Sequence, residues 1–197
     1  TRRSRRPVFA AVASIVLLIG AGVGHQAWRS RATPVQPTAS VMPAATVAAA
    51  PTTALEFTQL GLGLLRRYDR QDNIDKATAS FESAITLDQT FAPAWAGLAR
   101  AFWRQRIETG DAAWTPRAVD AATQATALDP YLADAHVSLG LAKLSAGDIP
   151  ASRRALELAL TLDPANAGAH RGLGDIEDAA DRKAQAAQEY ERALAGD

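Results

Sequence analysis

Cysteine is absent from the sequence, so disulfides, thiolate metal sites and a cysteine nucleophile are all excluded. Acidic side chains are absent from residues 1–31, which hold Arg2, Arg3, Arg5, Arg6, Arg29 and Arg31 and so carry +6. The balanced total of 21 basic and 21 acidic groups therefore hides a segregation, because the rest of the chain holds 15 basic and 21 acidic groups and carries −6. A net acidic body argues against a nucleic-acid surface, which needs clustered Lys and Arg facing phosphate. A phosphate cradle is missing too. The glycines of "GLGLL" (Gly61–Leu65) lie inside a helical pattern with no strand before them. Acids such as Glu177, Asp178, Glu189 and Glu191 stand beside Arg182, Lys183 and Arg192 at helical spacing and read as solvated charge. No catalytic residue, cofactor or metal is expected from these residues, and no carboxylate constellation supports a cell-wall hydrolase.

What the chain does have begins with an uncharged run, Val8 to Gly24, of 17 residues. Extended to Trp28 it covers residues 8–28, about 31 Å of helix at ~1.5 Å per residue, enough for a bilayer core of ~30 Å. A cleavable leader would have an apolar region of only ~7–15 residues, so an uncleaved transmembrane helix is the expectation. Four arginines precede the run and two follow it, which places residues 1–7 in the cytoplasm and the remainder on the far side of a bacterial inner membrane. Trp28 suits the interface. Gly20 and Gly24 have a spacing that supports helix dimerisation, a homodimer being the weaker alternative to a lone anchor. Residues 29–53 are rich in Ala, Thr and Pro. Pro34, Pro37, Pro43 and Pro51 bias them toward extended polyproline geometry, a semi-rigid tether of at most roughly 70 Å.

From residue 54 the pattern becomes helical and Ala-rich, and a phrase recurs: "LDQTFAPAWAGLA" from Leu87, "LDPYLADAHVSLG" from Leu128 and "LDPANAGAHRGLG" from Leu162. Small residues align at Gly61, Ala99, Gly140 and Gly174, separated by 38, 41 and 34 positions. The first unit has Phe57, Leu60, Gly61, Leu64, Ala77, Phe81 and Ala84, with Gln89 where the others have Pro. The second has Trp95, Leu98, Ala99, Phe102, Ala118, Ala122, Ala125 and Pro130. The third has His136, Leu139, Gly140, Ser152, Leu156, Ala159 and Pro164, and the fourth His170, Leu173, Gly174, Ala186, Tyr190 and Ala193. This array resembles the tetratricopeptide (TPR) repeat, whose period is ~34 residues. The resemblance implies an all-α solenoid of about four helix-turn-helix repeats, near 54–91, 92–132, 133–166 and 167–197.

In such a stack each two-helix unit cannot bury its apolar face alone, and small residues let helices approach. The first unit carries four extra residues near "YDRQDN" and the second seven around "RIETGDAAWTP". The latter lengthens the first helix of unit two by about a turn, with Trp103 and Trp114 expected to pack together as a local core. A partner-binding ridge is the alternative. His136 and His170 hold one repeat position, filled by Phe57 and Trp95 elsewhere, so packing is the expected role and a shared metal the alternative.

By the same resemblance, the first helices of successive units line a concave groove that binds a peptide or helix. Groove positions fall on Leu62, Leu65, Arg66, Arg100, Trp103, Arg104, Val137, Leu141, Leu144 and Arg171. The Lys and Asn pair with which some members clamp a C-terminal carboxylate is replaced by Thr58, Leu62, Val137 and Leu141. An apolar segment with acidic flanks is the expected protein or peptide partner. Two functions compete. One is a single-pass membrane-anchored scaffold displaying this groove outside the cytoplasm. The other is the sensory or assembly tail of a larger signalling protein. "LLRRYDRQDNIDKATASFESAITLD" and "FAPAWAGLARAFWR" are similar to repeat tails of bacterial receptor-type serine/threonine kinases, and winged-helix membrane regulators share the layout. This chain holds no HRD or DFG motif and opens on Thr1, so any catalytic or DNA-binding domain is expected upstream.

Overall fold

The computed structural model describes residues 50–67 and 72–196. Among these residues all regular structure is helical, in the order α1 Ala54–Leu65, α2 Asn73–Leu87, α3 Ala92–Thr109, α4 Trp114–Leu128, α5 Ala133–Ser145, α6 Ile149–Leu162, α7 Ala167–Ala179 and α8 Lys183–Ala195. No helix here is long and apolar enough to cross a membrane. The expected span at 8–28, the Gly20/Gly24 spacing, most of the tether and the "YDRQ" part of the first insertion lie outside the described residues.

The helices start and stop for local reasons. Thr53 caps α1 reciprocally: its hydroxyl accepts from the Glu56 N–H at 3.2 Å, and the Glu56 carboxylate accepts from the Thr53 N–H at 3.0 Å. Each of the three recurring joints is built the same way. Asp88, Asp129 and Asp163 leave the helical conformation for an extended one, and the N–H of each still bonds the carbonyl four residues back. Each Asp side chain then accepts the N–H two residues on, from Thr90 at 2.9 Å, Tyr131 at 2.9 Å and Ala165 at 3.3 Å. The Asp of the repeated phrase is thus what turns the chain. Proline at the next position only pre-sets a conformation that Gln89 also adopts in the first joint.

One further bond ties each joint to the helix that follows. Trp95 donates its ring N–H to the Gln89 carbonyl at 2.9 Å. His136 and His170 place Nε2 at 2.8 and 3.0 Å from the carbonyls of Pro130 and Pro164, six residues upstream in every case. The repeat position shared by these three residues therefore belongs to ring side chains that fill space and hold a carbonyl at one edge.

The seams follow from side-chain size. Phe81, fully buried, lies between Gly61 of its own hairpin and Gly97 of the next. A methyl group on either glycine would stand 2.7 or 2.2 Å from the ring. Leu156, also fully buried, lies in the same way between Gly140 and Gly172, at 2.6 and 2.9 Å. In the second hairpin the equivalent residue is Ala122. The smaller side chain leaves room in the next hairpin for Ser138 where the others need Gly, and the Ser138 hydroxyl donates across the seam to the Ala96 carbonyl at 3.1 Å. Ser152 does the same within its own hairpin, donating to the Gly140 carbonyl at 2.8 Å. The remaining small positions of the second helices, Ala77, Ala84, Ala118, Ala125, Ala159, Ala186 and Ala193, are all buried.

Contacts join α1 to α3, α3 to α5 and α5 to α7, whereas none joins α2 to α4, α4 to α6 or α6 to α8. The odd-numbered helices are therefore crowded and the even-numbered ones splayed, so the stack curves toward the odd-numbered side.

The long helix of the second hairpin is seen directly: α3 has 18 residues against 13 in α5 and α7. It ends at Gly110, whose φ of 71° is the left-handed conformation favoured for a helix C-cap. The expected packing of Trp103 on Trp114 is corrected. Trp114 stacks on Phe102, with centroids 5.8 Å apart, and the Arg117 guanidinium lies 4.1 and 4.7 Å from those two rings. Successive residues on a helix point about 100° apart. Phe102 therefore turns into the first core cluster with Trp114, while Trp103 turns to the groove side.

Candidate partner-binding groove

The crowded side of the stack encloses a cavity of about 840 Å³. Its wall takes Leu62 and Leu65 from α1 and Arg66 from its C-cap, then Arg100, Trp103 and Arg104 from α3. Asp134, Val137 and Leu141 of α5 follow, with Arg171 and Asp175 of α7. Nine of the ten residues read from the sequence as groove positions come together here. The tenth, Leu144, packs against the second core cluster and is not part of this wall.

Repeat geometry explains the convergence. Leu62, Arg100, Leu141 and Asp175 each follow the small residue of their unit by one position, so they form one row across four adjacent helices. Arg66 and Arg104 lie one helical turn further on, in line with Leu62 and Arg100.

The members of the wall differ in what they offer a partner. Val137 and Leu141 are 1% and 7% exposed and form its floor. Leu62, Leu65 and Trp103 are half-buried, packing against the core with one side while the other faces the cavity. The Arg104 guanidinium lies 4.9 Å from the Trp103 ring centroid, a cation–π contact that steadies both. Arg66 and Arg100 have no ion-pair partner among the described residues.

Three aspartates in this wall escaped the reading of the sequence. Asp163 belongs to the third joint. Its Oδ1 accepts from the Ala165 N–H and its Oδ2 from the Asn166 amide at 3.1 Å, and the Asn166 side chain in turn caps α7. Asp175 accepts the Tyr190 hydroxyl at 2.9 Å. Burial pushes the Asp175 carboxyl above its usual range, against the opposing pull of that hydrogen bond and of the Arg171 charge. Burial, then the bond to Asp175, holds the Tyr190 phenol up at about 12. Asp134 stands in the first turn of α5. The available signal was spacing: Asp134 precedes Val137 by three residues and Asp175 follows Arg171 by four, so both share a helical face with a recognised groove residue. His136 and His170 are not in the wall. Besides its joint carbonyl, His170 has Glu189 at 2.8 Å from Nδ1.

Likeness to solved structures places the fold. A thermophilic TPR protein from Thermus thermophilus, TTC0263, superposes with a TM-score of 0.59 at 17% identity, over 73% of each chain. The APC/C hetero-tetramer Cut9-Hcn1 gives a TM-score of 0.56 at 23% identity, over 73% of this chain but 26% of that one. The first TPR domain of human RPAP3 gives 0.52 at 22% identity, over 66% of this chain and 94% of that one. No protein-family model matches the sequence, and neither does any curated protein. The described residues thus form an all-helical TPR-type solenoid of eight helices.

Proposed function

We propose that the protein is a single-pass, membrane-anchored TPR scaffold that holds a protein or peptide partner in the groove of its odd-numbered helices, on the extracytoplasmic side of a bacterial inner membrane. The observation that carries the binding step is the wall itself: half-buried Leu62, Leu65 and Trp103 beside two arginines without an ion-pair partner among the described residues. Apolar surface left open next to uncompensated charge is what an unfilled recognition groove presents. Support for a peptide as the occupant comes from RPAP3, whose first TPR holds the HSP90 peptide SRMEEVD. The uncharged run at 8–28 and its flanking arginines support the anchor and its orientation.

The test is photo-crosslinking from two positions of the full chain in native membranes. Benzoylphenylalanine at Trp103 keeps an aromatic side chain in the groove, and the same group at Leu158 lies on exposed α6. Adducts from Trp103 alone are expected, whereas equal adducts from both positions, or none from Trp103, would reject the groove. Protease added to intact spheroplasts tests the side, and a protected repeat region contradicts it. A second reading, the tail of a larger signalling protein, is supported by the two kinase-tail phrases. It is decided by the coding sequence immediately upstream of Thr1, where an ATP-binding or DNA-binding fold favours it.

A further inference from the structure

The charges of the wall are unevenly spread along the stack. Arg66 and Arg100 stand at the α1–α3 end without an ion-pair partner among the described residues, and Arg104 beside them is turned toward Trp103. Asp134, Asp163 and Asp175 stand around the α5–α7 end with a single base, Arg171, one turn before Asp175, so acid exceeds base there. Between the two ends lies the apolar surface of Trp103, over the floor made by Leu141. The arginines alone were legible as groove charges, hence the expectation of a partner with acid on both flanks. The aspartates change that.

We infer that the groove takes an extended peptide of fixed polarity, acidic where it crosses α1 and α3, apolar over Trp103, and basic where it crosses α5 and α7. The inference rests on the groove being the binding site and adds the direction in which the partner must lie. Charge complementarity carries it, because a peptide laid the other way sets acid against Asp134 and base against Arg100. Like-charge juxtaposition of that kind suppresses wrong poses and partners more effectively than matched pairs strengthen right ones.

The spacing sets the register. Arg100 and Asp175 share one row and are separated by two helix-to-helix steps, about 16–20 Å at the usual 8–10 Å per step. An extended chain covers that in about five or six residues at ~3.3 Å each. The acidic and basic positions of the partner are therefore that far apart, with the apolar anchor between them.

The experiment is selection of a displayed random-peptide library on the full chain in detergent, followed by the same selection on charge-reversed variants. Wild type is expected to enrich peptides with acid at one end, an apolar centre and base about five or six residues from the acid. The Arg66→Glu, Arg100→Glu double variant is expected to replace the acid by base and leave the other end of the consensus unchanged. The Asp134→Lys, Asp175→Asn double variant, which keeps an acceptor for Tyr190, is expected to replace only the base. The peptide selected on wild type should bind the arginine variant about tenfold more weakly or worse, a loss of at least ~1.4 kcal/mol. These residues are not in the core, so unchanged far-UV circular dichroism is expected to accompany the loss. The outcomes separate two failures. No enrichment, or enrichment indifferent to Trp103→Glu in a variant that keeps its helical signal, overturns the groove itself. Enrichment that needs Trp103 but keeps acid at both ends, or ignores the arginine reversal, overturns the polarity alone.

Discussion

Gly97 and Gly63 are both interior helical glycines, and replacing each by alanine should move stability in opposite directions. Alanine is favoured over glycine in a helix by roughly 1 kcal/mol, which is all that Gly63→Ala should show, because nothing lies within 4 Å of the added methyl. At Gly97 the methyl would stand 2.2 Å from Cε1 of Phe81. The ring cannot retreat. It is fully buried, and Gly61 already closes its other face. Overpacking costs about 1–3 kcal/mol, and a ring held on both sides belongs at the upper end. Net of the helix preference, Gly97→Ala should destabilise by about 2 kcal/mol. At ~2–4 °C per kcal/mol for a chain of this size, Tm should fall by about 4–8 °C, while Gly63→Ala raises it by about 2–4 °C.

The companion measurement places Gly97→Ala on a Phe81→Ala background, where the methyl enters the space the ring vacated. There it should stabilise, giving a coupling near 3 kcal/mol, at the top of the range for residues in contact. The chain already contains this exchange, since Ala122 occupies the Phe81 position of its hairpin and Ser138, not glycine, occupies the Gly97 position of the next. Thermal melts followed by circular dichroism would settle the matter. If both alanines shift Tm alike, or the sign at Gly97 does not depend on Phe81, the seams are not built by size matching.

Ala159→Leu adds bulk at another fully buried seam position and should cost about 1–3 kcal/mol in a denaturant titration. Glu177 accepts from Arg182 and, at 2.7 Å, from Arg153; these two bonds, Arg182 first, hold its carboxyl down at about 2. A depressed carboxylate contributes stability above its unfolded value near 4.5 and loses it as pH falls toward 2, so Glu177→Gln should flatten the acid limb of the stability profile in that window. An unchanged acid limb would show that the two arginines do not act through this group. His136 and His170 each hold a carbonyl of their own joint, so zinc or a chelator should leave Tm unmoved, and a metal-dependent shift would revive a shared site. Thr53→Ala removes the reciprocal cap of α1 and should cost roughly 1 kcal/mol, read as earlier fraying of the first hairpin by hydrogen exchange.

Repetition made the fold legible. Gly61, Gly140, Phe81 and Leu156 recur at positions set by one geometric need, close approach of helices around a single large side chain, and a need met several times leaves a period in the sequence. The groove row was legible for the same reason, as one step past each small residue. What stayed hidden had no period. Trp114 was misplaced because two successive residues, Phe102 and Trp103, compete for it, and only the direction in which α3 turns decides between them. Asp175 and Asp134 look like any exposed helical acid until neighbouring helices are set beside them. The role of Asp in the joints was masked by the more familiar proline, although the joint with Gln89 turns identically.

The most direct test of the account is chemical-shift mapping of a peptide selected on the full chain. Perturbations confined to the odd-numbered helices, with Leu62, Trp103 and Arg171 among the affected residues, are the result the account predicts. Perturbations centred on α2, α4, α6 or α8, with Trp103 silent, would contradict it.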